Sequence, residues 1–167
     1  MCGLFLNIAS ESQYSSSLNF DMFARLQHRG IDNSSFVELS IENKIFMGHH
    51  RLSINDLSHK ANQPFKTNCE KYYLLFNGEV FNFKDLKKDI DYEFNTQSDT
   101  EVIIAGYKKF GKDFLKKLEG FFSIVILDIP KNIVIATVDP TSVKSLYYEL
   151  NDKSISISSE LNSFFCK

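Results

Sequence analysis

Apolar residues recur along this chain in two rhythms. From Leu18 to Gln27 they fall at Leu18, Met22, Phe23 and Leu26, the spacing of one helical face, and Gly30 supplies a stop. Ser98-Asp99-Thr100-Glu101 has the form of a capping box ahead of Val102, Ile103, Ala105, Tyr107 and Phe110, which predicts a helix starting near Asp99. A second helix is expected from Lys112 to Leu118, and a short one from Phe83 to Ile90. The other rhythm is that of strands, short β-branched and aromatic runs bounded by turn residues. Phe36 to Ile41 and Lys44 to His50 form a hairpin around Glu42-Asn43, and Tyr72 to Phe76 is a buried strand. Phe121 to Asp128 and Ile133 to Val138 are joined at Pro130-Lys131-Asn132, and Leu146 to Leu150 pairs with Ser154 to Ser158. Asn77-Gly78, following the YYLLF run, reads as a turn. Ser10 to Ser17 reads as a polar loop. The order is not regular βα alternation. It predicts an α+β fold with mainly antiparallel sheets and helices on their outer faces.

Composition narrows the function classes. At 167 residues and 43% hydrophobic content, the chain makes one domain with no dividing linker and needs no metal or disulfide to hold a core. A net charge of −2 argues against a broad basic face for nucleic acid or an anionic membrane. No apolar run approaches the roughly 20 residues of a membrane-spanning helix, and the amino terminus lacks the basic segment of a secretory signal. Cys2, Cys69 and Cys166 are too few and too scattered for a disulfide framework, so a cytoplasmic location is expected. The histidines at 28, 49, 50 and 59 lack metal-site spacing, and His49 and His50, adjacent in a strand, must face opposite sides. No glycine-rich phosphate loop is present. Against 16 Lys there are only 3 Arg, Arg25, Arg29 and Arg51. Arg51, beside the His-His pair, is the one to weigh for a bidentate contact, whereas Arg25 reads as a helix-surface residue.

Three groups carry candidate chemistry. Cys2 directly follows Met1. Removal of the initiator would leave a thiol and an α-amine on one residue, a nucleophile with a base whose ordinary pKa is roughly 7.7–8.0. The rival is an inert cysteine at the head of the first strand. Asn77 and Gly78 offer a side-chain amide and an unshielded backbone N–H, the donors of an oxyanion hole, although a hairpin tip selects the same pair. Arg51 with Glu79 and Asp99 would suit the carboxylate and ammonium of a free amino acid. Surface pairing, a solvated acid and helix capping are the plainer accounts of these three.

Several segments carry a family pattern in order: Met1-Cys2-Gly3, Gln27-His28-Arg29-Gly30-Ile31-Asp32, and Gly48-His49-His50-Arg51-Leu52-Ser53-Ile54-Asn55-Asp56. Asn62-Gln63-Pro64-Phe65, Asn77-Gly78-Glu79-Val80-Phe81-Asn82 and Ser98-Asp99-Thr100-Glu101 follow, with Ser158-Ser159-Glu160-Leu161 near the end. The chain resembles the class II (N-terminal-nucleophile) glutamine amidotransferase domain, and within it most the glutaminase domain of glutamine-hydrolysing asparagine synthetase. The resemblance implies a four-layer αββα sandwich, two antiparallel sheets between helical layers, over residues 1–167. It implies Cys2 as nucleophile, Asn77 and Gly78 as oxyanion hole, Arg51 on the glutamine α-carboxylate, Glu79 and Asp99 on its α-ammonium, and backbone contacts from Leu52 and Ile54. L-glutamine would be the substrate, with no metal or other cofactor required.

The sequence departs from the pattern where Ile31 replaces a proline, and where Pro140, Ser142 and Ser145 break a DRxGxKPLYY-like segment. Nothing in it resembles an ATP-pyrophosphatase synthetase domain, so ammonia is expected to pass to a separate synthetase or aminating partner. A catalytically silent glutamine-binding module and an amidohydrolase for another amide are the alternatives.

Overall fold

The computed structural model describes residues 1–54 and 56–165. Asn55, inside the Arg51–Asp56 motif, and Cys166 and Lys167 lie outside the described residues. Five strands make the first sheet, in the order β2 (Asn33–Ser40), β3 (Lys44–Arg51), β1 (Gly3–Ala9), β9 (Ser154–Ser158) and β8 (Tyr147–Asn151). The second sheet runs β4 (Phe65–Lys66), β5 (Tyr72–Val80), β6 (Gly120–Asp128) and β7 (Ile133–Val138). Every neighbouring pair is antiparallel.

Strand alternation builds the layers. Leu4, Leu6, Ile45, Met47 and Ile157 from the first sheet meet Tyr73, Leu75, Val125 and Leu127 from the second. The intervening residues Phe5 and Phe46 turn outward onto Met22, Phe23 and Leu26, in and just after α1 (Ser16–Ala24). On the far side Leu74, Phe76, Ile124 and Ile126 pack beneath Val102, Ile103 and Tyr107 of α3 (Asp99–Phe110). The fold is therefore the αββα sandwich the resemblance implies. Because β5 and β6 are covered on both faces, their sequences are continuous apolar runs instead of alternating ones.

Local expectations hold with informative exceptions. The first helix spans Ser16–Ala24, capped by the Ser15 side chain, and a 3-10 turn, Gln27–Arg29, separates it from Gly30. Gly30 is less a helix stop than a point of close approach. A Cβ there would sit 2.4 Å from the His50 carbonyl group. Asn77-Gly78 is not a turn. The β5–β6 ladder runs unbroken from Tyr72↔Asp128 to Val80↔Gly120 and carries the pair inside a strand. The helix at Asp99 forms, but the capping box does not close: Ser98 Oγ accepts from the Thr100 N–H, while Glu101 turns to the Asn95 and Thr96 N–H groups. Phe83–Lys88 is a short helix, α2, whereas Gly111–Lys117 is 3-10 instead of α. His49 and His50 do face opposite ways. His49 Nε2 donates to the Phe76 carbonyl in the other sheet, and the His50 ring stacks on Phe23 at 4.0 Å.

Candidate active site

The inward-facing rows of the two sheets turn from apolar to polar at one end of the sandwich. In β1 the row runs Leu6 and Leu4, and Cys2 continues it just before the strand. In β3 it runs Ile45, Met47, His49 and Arg51, and in β5 it runs Tyr73, Leu75, Asn77 and Glu79. Antiparallel pairing makes β1 begin where β3 ends, Gly3 opposite His50, so Cys2 and Arg51 meet. All eight sequence-predicted residues, Cys2, Arg51, Leu52, Ile54, Asn77, Gly78, Glu79 and Asp99, line one cavity of about 160 Å³.

Cys2 is held on three sides. Its N–H donates to Asn77 Oδ1 at 2.9 Å, its carbonyl accepts from Arg29 Nε at 2.9 Å, and its sulfur lies 3.4 Å from the Leu52 N–H. Burial pushes the thiol pKa up. The Leu52 N–H, the positive chain terminus, Arg51 and Arg29 work in the opposite direction.

Asn77 is 2% exposed. Its Oδ1 is committed to Cys2, and its Nδ2 has no hydrogen-bond partner among the described residues. A buried amide donor without a partner costs about 1–3 kcal/mol, and Asn77 lines the cavity, so a ligand oxygen bound there would relieve that cost. By strand alternation the Gly78 backbone N–H faces the edge of β5 away from β6. Two residues before it, the Phe76 N–H donates to Gln63 Oε1, and two residues after it, the Val80 N–H donates to Asp99 Oδ2. Gly78 sits between them on that edge of β5, past the reach of β4, which pairs only with Leu74 and Tyr73. Its φ of 156° and a would-be Cβ 2.1 Å from the Phe121 carbonyl oxygen leave glycine as the residue that fits. The resulting pair, a side-chain amide N–H and a backbone N–H beside a thiol, is equipped to stabilise an oxyanion.

These features are read together with the match of residues 1–167 to the glutamine amidotransferase domain family. The chain belongs to that family. It is similar to asparagine synthetase (glutamine-hydrolysing) 1 of Bacillus subtilis, 32% identical over 139 residues, 81% of this chain and 21% of that protein. Asparagine synthetase (glutamine-hydrolysing) 2 of Lotus japonicus is 35% identical over 166 residues, 96% of this chain and 28% of its own length. Amidase chyE of Penicillium rubens is 34% identical over 139 residues, 82% of this chain and 20% of that protein. The chain thus spans about a fifth of the length of the first curated relatives it matches. Among solved structures, the glutamine phosphoribosylpyrophosphate amidotransferase of B. subtilis superposes with a TM-score of 0.81 at 21% identity, over 98% of this chain and 43% of that one. That likeness establishes the shared fold.

In this amidotransferase domain Arg51, Asp99 and Glu79 reach the cavity from three different settings. Arg51 is 7% exposed and partly engaged already. Nη1 donates to the Ser58 carbonyl at 2.9 Å and to Asn62 Oδ1 at 2.8 Å, and Nη2 donates to the Asp56 carbonyl. Arg51 therefore ties Asp56, Ser58 and Asn62 to the end of β3. Of its five donors, the Nε–H and one Nη2–H remain, the edge that forms a fork. Asp99, the first residue of α3, accepts from the Val80 and Thr100 N–H groups, at 3.1 and 3.0 Å. Burial raises its pKa, and the neighbouring Glu79 charge adds to the rise. Glu79 itself is exposed on the rim.

Sequence reasoning assigned no role to four residues that shape this site. Arg29 holds the Cys2 carbonyl, and Glu160 holds Arg29. Gln63 bonds the Phe76 N–H and carbonyl with its own amide, at 2.6 and 3.1 Å, standing in for the strand that β4 is too short to provide. His49 has no partner on Nδ1, and burial holds its pKa at about 3, so it is neutral and donates from Nε2. The rarity of arginine was the available signal for Arg29. Among the described residues no group of three His, Cys, Asp or Glu is placed to hold a metal ion, and no helix is long and apolar enough to cross a membrane.

Proposed function

We propose that residues 1–167 act as one glutaminase domain, hydrolysing L-glutamine to L-glutamate and ammonia through a thioester on Cys2. The observation that carries this reading is the unpartnered, buried Asn77 Nδ2 on a side chain whose Oδ1 already grips Cys2. Removal of Met1 converts the Cys2 nitrogen from amide to amine, and Asn77 Oδ1 then holds the base beside its own thiol. The amine takes the thiol proton, and the sulfur attacks the side-chain amide carbon. The tetrahedral oxygen draws on Asn77 Nδ2 and the Gly78 N–H. The ammonium formed on Cys2 returns the proton to the leaving nitrogen, and ammonia departs. Water then cleaves the γ-glutamyl thioester, giving glutamate and free thiol. The Arg51 fork edge binds the α-carboxylate, Asp99 and Glu79 the α-ammonium, and Leu52 and Ile54 close the side of the cavity.

Released ammonia is protonated and lost in bulk water, so its delivery to a separate, ATP-dependent synthetase chain completes the reading. The relatives' names support a synthetase as the recipient, since they are glutamine-hydrolysing synthetases of which this chain matches 21% and 28%. A cytoplasmic setting suits such chemistry and a reduced thiol. The test is glutamate release from glutamine by protein whose intact mass shows Met1 removed. Activity abolished by Cys2→Ala is expected, and an inactive trimmed wild type refutes the proposal. The amidase relative favours a second reading, hydrolysis of another amide. A substrate screen in which another carboxamide outcompetes glutamine would establish it instead.

A further inference from the structure

We infer that Glu160 is a positioning residue for the Cys2 nucleophile, acting through Arg29. The inference rests on the glutaminase reading above and deepens it. Cys2 precedes β1 and lies outside the strand ladder. Once Met1 is gone it is a chain end, where unrestrained residues fray. Two contacts then fix its backbone. Asn77 Oδ1 holds the nitrogen, and Arg29 Nε holds the carbonyl oxygen. The carbonyl contact sets the rotation of Cys2 about its own Cα and so the direction of its sulfur.

Arg29 can hold that oxygen only if its own long side chain is held. Its Nη1 donates to Glu160 Oε1 at 2.6 Å, and its side chain is 12% exposed against 26% for Glu160, so this ion pair is shielded from water and salt. The same carboxylate oxygen accepts from His28 Nε2 at 3.1 Å, and His28 Nδ1 lies 3.1 Å from the Arg25 carbonyl. Glu160 is anchored in turn by the chain around it. Its N–H donates to Ser158 Oγ, and the preceding Ser159 clasps Leu4 twice, N–H to carbonyl and hydroxyl from N–H, at 3.1 Å each. The segment that follows β9 therefore pins β1 and aims the arginine that holds the residue just before it.

The charge arrangement gives this role a signature that a scaffold residue lacks. Arg29 is one of the cations that ease ionisation of the Cys2 thiol, and Glu160 partly cancels it. Loss of Glu160 thus has opposite effects on two reactions of one sulfur. Bare thiolate chemistry becomes easier, while attack on a bound amide, which needs aim, becomes harder.

The test uses the full chain with Met1 removal verified by intact mass, as wild type, Glu160→Ala, Glu160→Gln, Arg29→Met and the Arg29→Met/Glu160→Ala double variant. Glu160→Ala is expected to lower kcat for glutamate release by roughly tenfold to a hundredfold, the cost of slight misplacement, with KM for glutamine little changed. Iodoacetamide should alkylate Cys2 at least as fast as in the wild type. Glu160→Gln, which keeps an acceptor for Arg29, should recover part of kcat. In the Arg29→Met background, Glu160→Ala should leave kcat unchanged. An unchanged kcat in Glu160→Ala overturns the inference, as does a parallel fall of both rates, or an equal effect of Glu160→Ala in both backgrounds. A trimmed wild type that releases no glutamate sinks the glutaminase reading alone. Cys2 alkylation then carries the test: a rate in Glu160→Ala at or above that of the wild type supports the inference, and a slower one overturns it.

Discussion

Replacing Asn77 by aspartate separates the two tasks its amide performs. Asn77→Asp keeps an oxygen where Oδ1 accepts from the Cys2 nitrogen at 2.9 Å, so the anchor survives. It removes Nδ2, the buried donor without a protein partner. Losing one oxyanion-hole donor costs about 2.7–4 kcal/mol of transition-state stabilisation, a factor of roughly 10² to 10³ in kcat. The new carboxylate adds to this, since it places negative charge where the oxyanion develops and raises the pKa of the Cys2 amine that must act as base. The expected outcome is a kcat at least a hundredfold below wild type, at the strong end of that range, with KM for glutamine little altered. Stability should fall, because a carboxylate replaces a neutral amide at a residue only 2% exposed, the loss being offset in part by its pairing with the Cys2 ammonium. Steady-state glutamate release and thermal unfolding, on material with Met1 removed, measure both. A variant retaining more than about a tenth of wild-type kcat refutes the oxyanion role of Nδ2.

Gly78→Ala forces a Cβ to within 2.1 Å of the Phe121 carbonyl oxygen, so it should destabilise the domain by several kcal/mol, seen as a large drop in the unfolding midpoint. Asp99 has a raised pKa in the folded state, mainly from burial, so the native protein binds its proton more tightly than the unfolded chain does. Stability contributed by this group is therefore lost as pH rises from the ordinary carboxylate value, about 4, through the raised folded value. Urea titrations across that window should show a shallower decline in Asp99→Asn than in wild type, and glutamine KM in the wild type should rise as pH falls through the same window. Ser142 occupies the left-handed region at φ 53°, at a position where the family pattern has glycine. Ser142→Gly should stabilise by about 0.5–1 kcal/mol, the relief of strain less the added chain entropy, and denaturant midpoints check it.

Much of this protein is written in local pattern. Strand alternation and helical spacing mark the strands of both sheets, apart from β1, whose bounds the pattern does not give, and the two-residue β4, and they mark the helix at Asp99, because burial on one or both faces dictates residue type position by position. The ordered motifs identify the family, and they name the residues that the fold gathers around one cavity. Local pattern misleads where a distant partner decides. Asn77-Gly78 has the chemistry of a hairpin tip, yet β6 pairs along the whole of β5 and makes the glycine a matter of interstrand contact. Gly30 looks like a helix stop, and the backbone of β3 pressing on it is the stronger constraint. Sequence spacing also says nothing of which groups are already spent. Only the assembled structure shows that Arg51 has three donors tied to the 56–62 segment, that Asn77 Nδ2 is unpartnered among the described residues, and that Glu160, 158 positions beyond Cys2, bonds the arginine that bonds the Cys2 carbonyl. Residue type is fixed by local environment and can be read along a line. Hydrogen-bond partnership depends on which strand ends coincide, and that is settled when the two sheets close on each other.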